Sequence, residues 1–367
     1  MIGFIIKSKK VWLGPILALS LGLASCGGGG GGGTPTETPS PTPTPQASGG
    51  GGGGGKASLT GAGASFPAPL YQRWFSEYNK INPEVQISYQ SVGSGAGVEQ
   101  FTQGTIDFGA SDVAMTDEEI AKVPQGVVLL PMTAGSIVLG YNLPGVEELK
   151  LSRQAYVDIF LGKITKWNDP AIAATNPGVE LPDEAITVVF RSDGSGTTGV
   201  FTSHLNAISE EWAKSVGEGK TVEWPTGIGA KGNEGVTAQI LQTEGSVGYI
   251  EYGYAEQQGI PIASLENKTG TFVAASSETA SEALAAVELP GNLRAFITDP
   301  EGENSYPIVT YTWILAYKDM DDAKAPAFKE AINWALTDGQ AMSAELGYIP
   351  LPENVVVKVQ EALNTIE

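Results

Sequence analysis

From residue 57 onward the apolar positions follow two periods. Residues 85–89, Val-Gln-Ile-Ser-Tyr, alternate apolar and polar, the period of a half-buried strand. The runs Ile137-Val-Leu-Gly-Tyr, Ile186-Thr-Val-Val-Phe, Val247-Gly-Tyr-Ile and Ile308-Val-Thr-Tyr-Thr-Trp-Ile-Leu read as short buried strands. Between them, helical spacing predicts helices over residues 68–79, 97–103, 117–121, 152–161, 198–208, 236–241 and 325–337. Strand and helix alternate, so the pattern predicts an α/β architecture with mostly parallel sheets. No fixed-period repeat interrupts it.

The first 56 residues have another texture. Lys7, Lys9 and Lys10 precede an apolar stretch, Val11 to Leu23, that is too short to span a bilayer comfortably. It ends in Leu23-Ala24-Ser25-Cys26, which resembles a bacterial lipoprotein signal in which Cys26 becomes the lipidated first residue. Residues 27–33 and 49–55 are glycine throughout, and the block between them is mostly Thr, Pro and Ser. Such a segment buries no core, so residues 27–56 are expected to form a disordered tether. Thirty residues of Gly-rich coil reach roughly 30 Å root-mean-square. An ordinary secretory peptide and a spacer without purpose fit the same residues.

Composition narrows the chemistry. The 367 residues are 41% apolar and 17% charged, which leaves ample core. Net charge is −20, and beyond Cys26 the chain carries 18 basic and 41 acidic residues, a net −23. Nucleic-acid backbones and anionic membrane surfaces are repelled by such a body. Cys26 is the only cysteine and His204 the only histidine, so neither an intrachain disulfide nor a zinc cage of the usual kind can form.

Residues 191–199, Arg-Ser-Asp-Gly-Ser-Gly-Thr-Thr-Gly, stand between a predicted strand and a predicted helix. That places backbone N–H groups at a helix N-terminus beside the hydroxyls of Ser195 and Thr197 and the Arg191 guanidinium. Unpaired N–H groups and the positive end of the helix dipole favour an anion there. In so acidic a chain the anion must be held by local, directional hydrogen bonds. Two further turns share the texture: Gly61 to Pro69, containing Ser65 and Phe66, and Val92 to Gly97, containing Ser94. Each alone is an ordinary turn composition. Three of them, each before a helix, suit a crevice at the carboxyl ends of strands.

Other readings of the loop are weaker. Residues 194–199 satisfy G-x-G-x-x-G, but no strand ending in an acidic residue follows about 20 positions on. No P-loop occurs. Ser195 lacks the first glycine of a nucleophile elbow, since Asp193 stands there, and its only histidine base would be His204 on the following helix.

Taken together, these segments resemble a family, the PstS-type phosphate-binding proteins of bacterial phosphate ABC transporters. The resemblance covers residues 57–367. It rests on Leu59-Thr-Gly-Ala-Gly-Ala-Ser-Phe-Pro-Ala-Pro, Gly93-Ser94-Gly95, Asp107-Phe-Gly-Ala-Ser-Asp112, Gly162-Lys-Ile-Thr-Lys-Trp-Asn and Arg191-Ser-Asp-Gly-Ser-Gly-Thr. Trp224-Pro, Lys231-Gly-Asn and Gly248-Tyr-Ile-Glu-Tyr extend it.

The resemblance implies a two-lobed periplasmic-binding-protein fold, type II-like, with the ligand in the interdomain cleft. One lobe would comprise residues 57–138 plus 257–367, the other residues 139–256. Implied phosphate contacts are Ser65, Phe66, Ser94, Asp112, Arg191, Ser195, Gly196 and Thr197. Some members carry Thr where this chain has Ser65, which keeps the hydroxyl. Asp193 is expected to orient Arg191.

Asp112 is the odd member, because a carboxylate repels an anion unless the anion brings a proton. Phosphate near neutral pH has an O–H to donate; sulfate has none. An unpaired buried charge costs several kcal/mol, enough for about a thousandfold discrimination. The implied protein is a monomeric, extracytoplasmic lipoprotein, anchored to the membrane only through Cys26. It delivers inorganic phosphate to an ABC permease by lobe closure, without catalysis, cofactor or metal. The alternatives are a secreted phosphatase-type hydrolase using Ser195 and a binder of another oxyanion.

Overall fold

The computed structural model describes residues 57–285 and 287–367. The signal segment, Cys26 and the tether at 27–56 lie outside the described residues.

Eleven strands are found among the described residues: β1 Ala57–Gly63, β2 Val85–Ser91, β3 Phe108–Ser111, β4 Val127–Asn142, β5 Lys150–Leu151, β6 Thr187–Arg191, β7 Ile228–Ala230, β8 Ser246–Glu251, β9 Ser264–Glu266, β10 Phe272–Val273 and β11 Val309–Tyr317. Eight form one sheet of order β2-β1-β3-β11-β4-β8-β6-β7, and β10-β9-β5 form a small second sheet. Pairing is parallel at both ends of the large sheet, as the alternating pattern predicts. Its middle is not: β3-β11, β11-β4 and β4-β8 are antiparallel. The reason is the length of β4. It is buried at every position from Val128 to Tyr141, pairs with β11 along its first part, and passes to β8 along its last. A strand shared in this way joins two α/β halves into a two-lobed fold.

Helices cover both halves. Ala68–Ile81 presents Leu70, Tyr71, Trp74, Phe75 and Tyr78 on one face, the helical spacing of a core stripe. Asp117–Ile120 starts from a capping box in which Thr116 and Glu119 satisfy each other's backbone N–H. Gly232–Gln242 and Tyr252–Gln258 flank β8. Helices at Glu210–Ser215, Tyr252–Gln258, Ala341–Glu345 and Glu353–Leu363 were not apparent in the apolar spacing. No helix among the described residues is long and apolar enough to cross a membrane.

An aromatic cluster backs the second half. The Phe201 and Tyr249 rings stack at 4.5 Å, and Trp224 lies 5.5 Å from Tyr249. The Tyr249 hydroxyl accepts the Arg191 N–H at 3.0 Å and pairs with Thr198 Oγ1 at 2.6 Å. The core thereby fixes the loop that leaves β6.

Candidate anion-binding site

The loop after β6 carries the positive charge. Arg191 ends the strand and is buried. Its Nε and Nη2 donate to the two carboxylate oxygens of Asp193, at 2.8 and 2.6 Å, and its Nη1 donates to Thr197 Oγ1 at 3.3 Å. Asp193 also accepts the Gly232 N–H at 3.0 Å. Burial works to raise the Asp193 carboxyl, but the Arg191 guanidinium outweighs it and holds the group below its usual range. Arg191 is thus oriented by a two-pronged pair, as expected.

Ser195 caps the helix Gly196–Ile208, its Oγ accepting the Thr198 N–H at 3.0 Å. As the first two residues of that helix, Gly196 and Thr197 have N–H groups with no acceptor inside it. This helix start lies against the other half of the molecule. A Cβ on Gly196 would lie 2.4 Å from Ser94 Oγ and 2.7 Å from Asp112 Oδ2. The Gly95 N–H donates to the Gly194 carbonyl at 2.8 Å, a backbone bond between the two turns. Gly93 has φ 92°, and a Cβ there would meet Asp193 Oδ2 at 2.3 Å, so both geometry and space require glycine.

The turn after β1 is prepared from behind. Tyr89, Tyr254 and Tyr348 donate their hydroxyls, each at 2.7 Å, to the consecutive carbonyls of Ala64, Ser65 and Phe66. Neither Ser65 nor Phe66 gives its N–H to a protein acceptor among the described residues, so these donors are available. Ser65 Oγ accepts both the backbone N–H and Nδ2 of Asn233, at 3.0 Å each. With both lone pairs engaged, the Ser65 hydroxyl proton is left to donate. Thr197 Oγ1 is in the same position, accepting from Arg191 and from Asn233 Nδ2 at 3.2 Å.

Asp112 follows β3 and is buried, with Oδ1 accepting from Thr312 Oγ1 at 2.8 Å. Its Oδ2 lies 3.4 Å from Ser94 Oγ, and its N–H donates to the same oxygen at 3.3 Å. Burial pushes its carboxyl up to about 7, against the Thr312 bond, the Arg191 charge and the Ser94 contact. One buried acid thus stands among hydroxyls, N–H groups and a guanidinium.

All eight residues singled out in the sequence therefore fall in one connected cluster. Two partners were missed. Asn233 was visible only as part of the Lys231-Gly-Asn segment. Thr312 gave no signal inside an apolar strand. His204 lies elsewhere: nine residues past Ser195, about 13 Å along a helix, it is buried and bonded to the Tyr156 hydroxyl at 2.8 Å. Burial lowers its pKa to about 4. Among the described residues no group of His, Cys, Asp and Glu could hold a metal ion. A cavity of about 240 Å³ opens beside Asp112, lined by Val113, Gly199, Ser203, Lys220 and Phe296. At its rim Lys220 Nζ meets Glu119 Oε1 at 2.9 Å, between the two halves.

The close approach at Gly196 makes a testable point. Gly196→Ala is expected to weaken anion binding at least tenfold, because the added methyl enters the space between Ser94 and Asp112. Titration of phosphate into the variant checks it; unchanged affinity would place the anion away from this helix end.

Comparison with known proteins agrees with the geometry. A PBP superfamily domain matches residues 41–338. The chain is 46% identical over 316 residues to the phosphate-binding protein PstS of Pasteurella multocida (strain Pm70), covering 84% of this chain and 90% of that protein. It is 40% identical over 331 residues to the phosphate-binding protein PstS of Methanocaldococcus jannaschii, covering 83% and 85%. In fold it is similar to a high-affinity periplasmic phosphate-binding protein solved with phosphate at pH 8.5, with TM-score 0.69, 20% identity and coverage of 83% and 93%. A phosphate-bound putative phosphate ABC transporter substrate-binding protein from Clostridium perfringens gives TM-score 0.60 at 19% identity, covering 80% of this chain and 100% of that one. The chain belongs to the PstS family of phosphate-binding proteins.

Proposed function

We propose that this protein binds inorganic phosphate between its two lobes and delivers it to an ABC permease. The observation that carries the reading is one buried acceptor, Asp112 Oδ2, facing a set of donors. Ser65, Phe66, Ser94, Arg191, Ser195, Gly196 and Thr197 supply hydrogen bonds to anionic oxygens. Asp112 takes the proton that phosphate carries and sulfate lacks. Lobe I comprises residues 57–138 plus 257–367 and lobe II residues 139–256, closing over the ligand by hinge motion. The protein acts outside the cytoplasm as a monomer, held to the membrane through lipidated Cys26.

Catalysis is not part of this reading. Ser195 Oγ is engaged as a helix cap, and the chain's single histidine is bonded to Tyr156. Calorimetric titration with phosphate, alongside a chromogenic phosphate monoester, tests the proposal. Saturable phosphate binding without ester turnover is expected. Turnover that disappears in Ser195→Ala would replace it with the hydrolase reading.

A further inference from the structure

The strand register sets Thr312 against Asp112. In the β3–β11 pairing Trp313 stands opposite Ser111, so the next position along the antiparallel ladder sets Thr312 opposite Asp112. Opposed residues in such a pair share a face of the sheet. On its other side β11 is irregular: its partners on β4 jump from Thr133, opposite Thr312, to Pro131, opposite Trp313. Pro131 has no N–H to give the ladder, and a bulge is where a strand tolerates that loss. Two threonines on this face then lie against one aspartate. Thr312 Oγ1 donates to Asp112 Oδ1 at 2.8 Å, while Thr310 Oγ1 lies 2.8 Å from the Tyr311 carbonyl and 3.2 Å from the Asp112 main-chain carbonyl.

Resting on the reading that Asp112 takes the proton of phosphate, we propose that Thr312 is the positioning residue that sets anion selectivity. Its single hydroxyl proton goes to Oδ1, which stabilises the ionised carboxylate and leaves Oδ2 as the acceptor for the ligand O–H. Without that bond the buried carboxyl keeps its proton to higher pH. A neutral acid donates, so the site then admits a fully deprotonated oxyanion. The other titratable groups whose charge acts on or responds to Asp112 are Arg191 and Asp193 from the loop after β6, Tyr71 and Tyr89 from the first half, and Glu251, Tyr254 and Tyr348. Among these, Arg191 alone carries positive charge, and it already pairs with Asp193. Among the described residues Thr312 is the hydroxyl that donates to Oδ1, and the buried Tyr71 hydroxyl beside it has no hydrogen-bond partner.

The test titrates sulfate and phosphate between pH 7 and 9.5 into the wild-type chain, Thr312→Val and Thr312→Ser. In Thr312→Val sulfate is expected to bind at least tenfold tighter than in wild type at pH 9, its pH profile displaced upward by about one unit or more. Thr312→Ser keeps the hydroxyl and should follow wild type within about threefold. If the valine variant does not fold, Thr312→Ala removes the same hydroxyl and carries the same expectation. A valine or alanine profile that coincides with wild type would overturn the proposal. So would a serine profile that matches valine, since packing rather than the hydroxyl would then be responsible. Wild type that binds sulfate as tightly as phosphate at pH 9 would instead remove the underlying reading of Asp112.

Discussion

Asp112→Asn is expected to abolish discrimination between phosphate and sulfate at alkaline pH. In the wild-type site an incoming sulfate meets an ionised Asp112 unless that group is first protonated. With its carboxyl near 7, each pH unit above that point should cost sulfate about tenfold in apparent affinity. Phosphate keeps an O–H throughout this range and pays no such penalty. By pH 9 the selectivity of wild type is therefore about a hundredfold, rising toward a thousandfold near pH 10. Asparagine presents an amide N–H at the same place, so sulfate should bind the variant equally well at every pH. Competition titrations of both anions at pH 9 measure this directly. Selectivity that survives in the variant would mean that another group reads the proton.

Removal of Arg191 should have the largest effect on affinity itself. Its guanidinium is buried, donates two hydrogen bonds to Asp193 and a third to Thr197. Arg191→Met would leave the Asp193 carboxylate without its cation beside an anion site. Truncating one member of a buried, hydrogen-bonded charge pair typically costs about 2–5 kcal/mol. Phosphate affinity is thus expected to fall between roughly thirtyfold and a few thousandfold. Arg191→Met with Asp193→Asn should recover part of that loss, because the stranded charge goes with its partner. A double variant no better than the single would show that Arg191 acts on the anion alone. An unchanged single variant would place the anion elsewhere.

Much of the site was legible because its parts are local. A strand, a small-residue turn with hydroxyls and a helix start can be read from ten consecutive residues, as at 191–199 and 93–97. The resemblance then tied these turns together and added Asp112. What escaped depends on contacts distant in sequence. Asn233 meets Ser65 across 168 positions and Thr312 meets Asp112 across 200, and no local pattern encodes either contact. Nor does apolar periodicity show that Val127–Asn142 is one strand serving two half-sheets, because a continuous buried run has no alternation to read.

The end of β1 reads as turn for a different reason. Gly61 and Gly63 make it look like a turn, yet a Cβ at either would come within 2.1 Å of Phe108 or Ala110. Close approach of β1 to β3 demands glycine where strand propensity disfavours it. The helix over 353–363 was passed over because its valine run mimics a strand, although Val355, Val359 and Leu363 hold the spacing of one buried helical face.

The measurement that bears most directly on the proton-reading site is the pH dependence of sulfate affinity in the wild-type chain, with phosphate as reference. Sulfate binding is expected to weaken about tenfold per pH unit above 7 while phosphate binding stays nearly level. Sulfate affinity that runs parallel to phosphate from pH 7 to 9.5 would contradict it, and Asp112 would then have no part in choosing the anion.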